Sequence, residues 1–499
     1  MAENERRYKF PIYFYNWITY LGVALALFVF IVETILFGID FFSPSTNTYL
    51  SQLTFCLLPP FLIIGLILIP IGALRKRKRI ASGKSEAMPK AFVFDPSIPF
   101  HFNAFIVFFV GSTIFLAMTV VGTFSAYEYT ESVHFCGTTC HHIMTPEFTA
   151  YSHSPHARVR CVECHIGPGV DFYVKSKLAG LRQVYKTVTH TYPAPIETPI
   201  KNLRPASETC EKCHWPDKSY TSVEMQKKYY AGKNTETPPW YLRMLIKIGN
   251  PGTGIHSHMF VDKAVYYVAD DVKRQKISWI KSTDKDGKEL IFTSDDSPYK
   301  DKAPDPSLMR KMDCIDCHNR PSHHYQSPSV LINQAMTLGK INSDIPQIKS
   351  KAMELLSKEY PTNDEAVEEI ESGLMSFYKE HYSGYFATNQ GKIVQASKEL
   401  TEIFKDNFFP AMKTRWDVYP DNIGHLNSTG CFRCHDGEHH DSSGNAISKD
   451  CRICHTIIEQ GPAGQTQKST DGLEFQHPFS DDGSWKDMNC SDCHTGGAM

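Results

Sequence analysis

The sequence predicts a mostly helical and irregular protein, anchored by three membrane helices, with a small β insert and an interior built largely around cofactors in place of side chains. Three observations predict this. Of its 15 cysteines, 14 fall into seven close pairs, and a histidine directly follows the second cysteine of every pair. Three long apolar stretches precede all of those pairs. Helical or strand periodicity is confined to two gaps between pairs, while Gly, Pro, Asn and Asp crowd the last pairs, as turns require.

Six pairs are regular: Cys161/Cys164 with His165, Cys210/Cys213 with His214, Cys314/Cys317 with His318, Cys431/Cys434 with His435, Cys451/Cys454 with His455, and Cys490/Cys493 with His494. A variant, Cys136-Gly-Thr-Thr-Cys140-His141, precedes them with one extra residue between its cysteines. Such spacing suits covalent haem c: two thiols form thioethers to the vinyl groups and the adjacent histidine is aimed at the iron. Zinc sites use the same residue types but do not require His after every pair. Disulfide frameworks do not place all partners so close. The predicted class is a multihaem cytochrome c with seven haem c groups. The remaining cysteine, Cys56, lies in an apolar run and reads as packing.

The apolar stretches run from Tyr20 to Phe37, from about Leu53 to Leu74 and from about Phe105 to Phe124, each close to the roughly 20 residues that cross a bilayer. The first lacks a small-residue cleavage site, so it is expected to stay as an anchor. Arg75-Lys-Arg-Lys-Arg79, with Arg6, Arg7 and Lys9, places the N-terminus in the cytoplasm, and three crossings deliver the chain after about Tyr127 to the periplasmic face of a bacterial inner membrane. With 52 basic and 54 acidic residues, net charge −2, nothing points to nucleic acid. Partners are expected among redox proteins and small molecules.

The chain divides into a membrane anchor over 1–126, a segment 127–218 with haems 1–3, a β-rich insert 219–313, haem 4 with a helical scaffold over 314–430, and a C-terminal segment 431–499 with haems 5–7. In the insert, Met259 to Val268, Lys276 to Ile280 and Glu289 to Thr293 are β-branched and aromatic, with a hairpin turn at Asp284 to Gly287. Helical spacing of apolar residues marks 329–340, 345–360, 364–382 and 394–406. The C-terminal segment is expected to hold little sheet.

Of 22 histidines, seven follow cysteine pairs and 15 remain. A second axial histidine saturates an iron and suits it to pass electrons. The preferred second ligands are His153, His156, His190, His323, His425, His439 and His477; His256, His258, His324, His381 and His440 are reserves. His101, at the cytoplasmic end of the third span, is excluded.

The stretch Met144-Thr-Pro-Glu-Phe-Thr-Ala-Tyr-Ser-His-Ser-Pro-His156, followed by Arg158-Val-Arg-Cys161-Val-Glu-Cys164-His165-Ile-Gly-Pro-Gly169, resembles the NapC/NirT family of membrane-anchored, quinol-oxidising cytochromes. The match covers about residues 105–215, so that 127–218 reads as a NapC/NirT-like domain. Later segments, Cys314 to His323 and Pro420 to His425, look like the larger seven-haem inner-membrane members of metal-respiring bacteria.

The resemblance implies a haem domain that takes electrons from quinol, and a methionine iron ligand two residues after the first histidine. Here Met144 comes three residues after His141, so His141, His142 and Met144 are all open as that iron's ligand. The family's lysine and carboxylate at the quinol pocket correspond to Lys175 or Lys177 with Asp171, in a helix-like segment expected at the membrane surface. Glu33 is a further candidate proton carrier, because an ionisable residue inside a span is costly and often functional.

The expected reaction is oxidation of quinol, menaquinol more than ubiquinol because bis-His haems sit at low potential. Electrons from the membrane quinol pool would pass to periplasmic multihaem cytochromes or a terminal reductase, with a role in metal or extracellular respiration. Rival readings are a conducting subunit that never meets quinol, and a terminal reductase of a small anion; no site has Lys replacing its histidine, which disfavours the latter.

Overall fold

The structure, a computed structural model, describes residues 11–42, 58–83, 96–139, 141–166, 170–200, 203–215, 221–231, 237–249, 254–259, 264–283, 286–478 and 483–498. Cys56 and the start of the second expected span lie outside them. Contacts divide the chain into two units, Met1–Thr139 and Cys140–Met499.

The first unit holds three helices long and apolar enough to cross a membrane: α1 (Trp17–Phe42), α2 (Leu58–Ala81) and α3 (Pro99–Thr130). Each runs further than its apolar stretch, because in hydrocarbon the backbone must satisfy its own hydrogen bonds and the helix continues until polar residues meet water. Small residues let α1 and α2 touch backbone to backbone: a Cβ on Gly65 would lie 2.8 Å from the Ala26 nitrogen, and one on Gly22 would lie 2.8 Å from the Gly65 oxygen. Lys76 donates to the Tyr15 carbonyl at 2.7 Å, tying the basic end of α2 to the residues just before α1.

In the second unit, α4 (His141–Ser152) and α5 (Val170–Val188) flank the second cysteine pair. Two four-stranded antiparallel sheets follow. One joins β3 (Tyr266–Ala269), β4 (Ile277–Thr283), β5 (Glu289–Thr293) and β6 (Arg310–Lys311) in the order β5-β4-β3-β6. Of the strand expected from Met259 to Val268, Met259 ends a 3-10 helix, Ile255–Met259, residues 260–263 lie outside the described residues, and β3 begins at Tyr266.

The other sheet corrects an expectation. Its strands are β1 (Ser222–Tyr229), β2 (Trp240–Lys247), β7 (His455–Pro462) and β8 (Gln467–Leu473) in that order, so half of it comes from the C-terminal segment. There Ile457 and Gln460 are buried, and a turn at 463–466 closes a hairpin whose inner strand pairs with β2. The turn residues that argued against sheet are the ones that close it.

Between them lies the helical scaffold: α6 (Pro328–Thr337), α7 (Ile348–Ser357), α8 (Asn363–His381) and α9 (Ser383–Asn407), close to the expected spans except that α9 begins earlier. Thr362 caps α8 by accepting from the Glu365 N–H at 3.2 Å, with acidic residues in the first turn and Lys379 and His381 in the last. Ile332, Ile348, Leu356, Ile370, Leu374, Tyr378 and Ile393 form a core sealed from water. This region thus carries an ordinary side-chain core. It also anchors the C-terminus: Trp416 donates to the Thr495 carbonyl at 3.0 Å and Ser329 to the Gly496 carbonyl at 3.0 Å. Gly496 has φ +83°, and a Cβ there would strike Ser327.

Leu374→Ala is expected to cost the scaffold about 2–5 kcal/mol through lost burial and a residual cavity. Denaturant unfolding followed by far-ultraviolet circular dichroism checks this.

Candidate haem centres

A single helical turn forms at each regular cysteine pair, as at Cys161–His165, Cys314–Cys317 and Cys490–Cys493. Such a turn brings residues i and i+3 to one face, so both thiols point the same way. The histidine closes the turn: the N–H of His214, His318 and His494 donates to the carbonyl of Cys210, Cys314 and Cys490 at 2.9, 2.7 and 2.8 Å. Asp313 and Asp316 form a capping box around the third regular pair, and Asn489 and Asp492 another around the last. Gly430, before Cys431, has φ +49°, and a Cβ there would overlap the Gly424 carbonyl.

The described cysteines form no disulfides. Exposure differs among the attachment cysteines: Cys213, Cys451 and Cys493 are exposed, while Cys210, the pair-mate of Cys213, is half-buried. Cys213 follows the 3-10 turn Cys210–Lys212, with its N–H on the Cys210 carbonyl at 3.1 Å.

Other thiols are enclosed. Burial pushes those of Cys314, Cys317 and Cys454 up to about 11 and that of Cys434 up to about 12. Among the described residues no three His, Cys, Asp or Glu side chains converge on a metal position.

The histidines behave differently. Each of the six regular motif histidines faces a second histidine: His165 with His323 at 6.1 Å between ring centroids, His214 with His156 at 5.9 Å, and His318 with His256 at 6.2 Å. His435 faces His258 at 6.0 Å, His455 faces His425 at 6.2 Å, and His494 faces His477 at 5.7 Å. In the last pair the Nε2 atoms point at one another, 3.4 Å apart. Two metal–nitrogen bonds of about 2 Å, added to the ring radii, put trans imidazole centroids about 6 Å apart, so the spacing fits one iron between each pair.

Ring hydrogen bonds fit as well. Nδ1 of His156, His258, His323 and His435 donates to the carbonyls of Pro321, Ile255, Glu147 and Ser448 at 3.2, 2.6, 3.0 and 2.8 Å. A carbonyl only accepts, so Nδ1 carries the proton and Nε2 keeps its lone pair, the arrangement usual for metal-binding imidazole. Burial lowers the pKa of His165, His256, His258, His318, His425, His455 and His494, and takes His323 down to about 4. These rings are neutral, as ligands must be.

His256 and His258 were reserves in the sequence reading, yet both face motif histidines from one 3-10 helix, Ile255–Met259. The preferred residue His439 does not. It is buried, with Nδ1 on Asp436 Oδ1 and Nε2 on the Ile277 carbonyl, both at 2.9 Å. Two acceptors require two N–H donors, so the ring is an imidazolium with no lone pair for a metal. His153 lies between the Thr149 carbonyl, 3.0 Å from Nδ1, and Asp406, 3.8 Å from Nε2. His190 is an exposed turn residue beside Tyr192. Neither faces a described motif histidine. Of the other reserves, His324 and His440 lie against Asp421 and Asp295, and His381 stacks on Phe377. Sequence spacing carried no signal for these choices, since the second histidines stand at no fixed distance from the motifs whose histidines they face.

At the irregular first motif, Cys136 lies in a π-helical turn, Phe135–Thr139. Cys140 and the side chains of His141 and His142 fall outside the described residues, and Met144 is half-buried one turn along α4. Lys175 is exposed and Lys177 half-buried on α5, where the Asp171 side chain is not described; Glu33 is half-buried in α1.

Three membrane helices with repeated Cys-Cys-His turns and facing imidazoles define a membrane-bound multihaem cytochrome c, an electron-transport protein. The chain belongs to the NapC/NirT cytochrome c family: the family's N-terminal region matches residues 99–237. It is 40% identical to cytochrome c-type protein ImcH of Geobacter sulfurreducens over 97% of this chain and 96% of that one. It is 28% identical to cytochrome c-type protein NrfH of Wolinella succinogenes over 23% of this chain and 64% of that one. No solved structure matches. Family members act in quinol-linked electron transfer and carry covalently bound haem c.

Burial works against the charge on His439, but its hydrogen bonds to Asp436 and Ile277 outweigh that and raise its pKa; Asp436, opposed by burial, is lowered by the same pair. The histidine's contribution to stability is complete below about pH 6.5 and fades as pH rises through the raised value; the aspartate's holds above about pH 3.9 and fades as pH falls through the lowered one. His439→Gln is therefore expected to cost about 1–3 kcal/mol between those limits and less at alkaline pH, as thermal unfolding against pH will measure.

Proposed function

We propose that this protein is an inner-membrane quinol dehydrogenase that oxidises quinol, menaquinol in particular, and passes the electrons through seven haem c groups to a periplasmic multihaem cytochrome or terminal reductase. The observation that carries the reading is the set of six facing histidine pairs, each joining a motif histidine to an imidazole from elsewhere in the chain. Haem iron held between such a pair would supply one-electron steps, and the two histidines would leave it no open position for substrate. That favours conduction over reduction of a small anion.

The protein's own residues hold the relay in order. His156, the partner of His214, lies just upstream of the Cys161 pair, and the Ala206 N–H donates to Asp313 Oδ2 at 3.2 Å, tying the third attachment segment to the fourth. His256 and His258 serve the fourth and fifth motifs from one short helix. His425, the partner of His455, lies just upstream of the Cys431 pair, whose first N–H donates to Gly424 at 2.9 Å. Second ligands borne beside other motifs, such as His323 beside the fourth for His165 of the second, would hold the haems close enough to exchange electrons.

The irregular first motif follows directly on the last apolar segment and is the entry. Lys175, Lys177 and Asp171 on α5 bind the quinol oxygens and accept protons as quinol is oxidised. Leu178, Leu181, Val184, Tyr185 and Val188 of that helix are exposed, as suits a surface resting in the lipid interface. The basic run Arg75–Arg79 at the end of α2 supports a cytoplasmic N-terminus.

His323→Ala and His477→Ala are each expected to convert one low-spin haem to high-spin by electron paramagnetic resonance, whereas His153→Ala and His190→Ala leave the regular six unchanged. Reduced naphthoquinol added to the purified protein in liposomes is expected to reduce the haems promptly, at a rate lowered about 100-fold or more in Lys175→Gln/Lys177→Gln. Haem reduction that needs an added partner protein would overturn the quinol reading, and fewer than seven pyridine haemochromes per chain would overturn the count.

A further inference from the structure

The fourth and fifth attachment motifs are joined by a buried charge. Arg433, within Cys431-Phe-Arg-Cys434, is 9% exposed. Its guanidinium donates to three backbone carbonyls: Gly430 at 2.9 Å, Arg274 at 2.8 Å and Asp316 at 2.8 Å. Asp316 occupies the same place in Cys314-Ile-Asp-Cys317. Among the described residues no carboxylate stands within ion-pair distance of Arg433.

Nearby carboxylates are engaged elsewhere. Asp316 accepts from Tyr267 at 2.7 Å, Arg274 at 2.9 Å, Arg310 at 2.8 Å and the Asp313 N–H at 2.9 Å. Asp313 accepts from the N–H groups of Ile315 and Ala206, and Asp436 from His439. Three guanidiniums thus surround the Asp316 residue, and only two of them meet its carboxylate. The Arg433 guanidinium thus lies inside the Cys431–Cys434 motif and binds the backbone of the Cys314–Cys317 motif.

A buried cation solvated only by carbonyls favours added negative charge nearby, more strongly than it would in water. We propose that Arg433 is a tuning residue shared by the fourth and fifth haems, whose charge raises the reduction potentials of both and makes them a paired resting place for electrons midway along the relay. This rests on the reading that haems are bonded at Cys314/Cys317 and Cys431/Cys434. The electron enters from the relay and reduces ferric to ferrous iron, with no bond formed or broken.

The test is a potentiometric titration of the full-length, haem-loaded protein, with dithionite as reductant, following the optical spectrum and the low-spin resonances. In Arg433→Gln two haems are expected to become about tenfold less occupied by the electron at fixed potential, about 59 mV downward for a one-electron couple. Arg433→Lys keeps the charge and is expected to keep both potentials, even with a lower unfolding temperature. A second variant, Arg274→Gln, removes a cation from the cluster but leaves the carbonyl that Arg433 binds; the same two haems should shift downward. Unchanged curves in both glutamine variants at full haem content would overturn the proposal and leave Arg433 a backbone staple. A wild-type chain lacking pyridine haemochrome would instead overturn the reading beneath it.

Discussion

The pairing of imidazoles across the second unit is the constraint on which most of this structure depends. A histidine that follows a cysteine pair is placed by its own helical turn, but its facing ring arrives from far away in sequence: His323 for His165, His256 for His318, His425 for His455. With an iron held between its rings, each pair would act as a long-range cross-link. At four rings a carbonyl on Nδ1 fixes the tautomer, so backbone at Pro321, Ile255, Glu147 and Ser448 is committed to this purpose. Short helical turns and irregular loops serve that requirement better than long regular elements, which explains why so much of the chain around the motifs is neither helix nor strand.

Where no cysteine pair intervenes, between His323 and Cys431, the chain returns to ordinary folding. Four helices bury a sealed core, and the last motif is tied to it through Trp416, Ser329 and the Gly496 turn. The membrane unit uses a third kind of cohesion, close backbone packing of Gly22, Ala26 and Gly65, because lipid gives apolar side chains no reason to prefer one another. One chain therefore relies on three physical regimes: ligand pairing, hydrophobic burial and small-residue packing.

Charge placement separates roles that residue type does not. His439 and His258 are both largely shut off from solvent, yet one ring donates from both nitrogens to Asp436 and Ile277 while the other keeps a lone pair facing His435. Likewise Asp316 and Arg433 occupy equivalent places in their motifs, and their contact couples two attachment sites that sequence separates by more than a hundred residues.

The sequence by itself determined whatever depends on local geometry. Cys-X-X-Cys-His is legible because one helical turn sets both thiols and the histidine, the spans because crossing a bilayer demands length and apolarity, and α6 to α9 because a buried face repeats every three or four residues. How enclosed each thiol is was not legible, since Cys213 and Cys434 hold the same place in their motifs and only the second is walled in by distant chain. Second-histidine choice was hidden too: His256 and His258 ranked below His439 until the fold showed which rings meet and which are consumed by hydrogen bonds. So was the sheet that joins β1 and β2 to β7 and β8, whose turn-rich hairpin reads as loop until a partner strand covers its edge. Those features depend on contacts between distant segments, and only tertiary structure decides such contacts, because the free energy of each resides in neither segment alone.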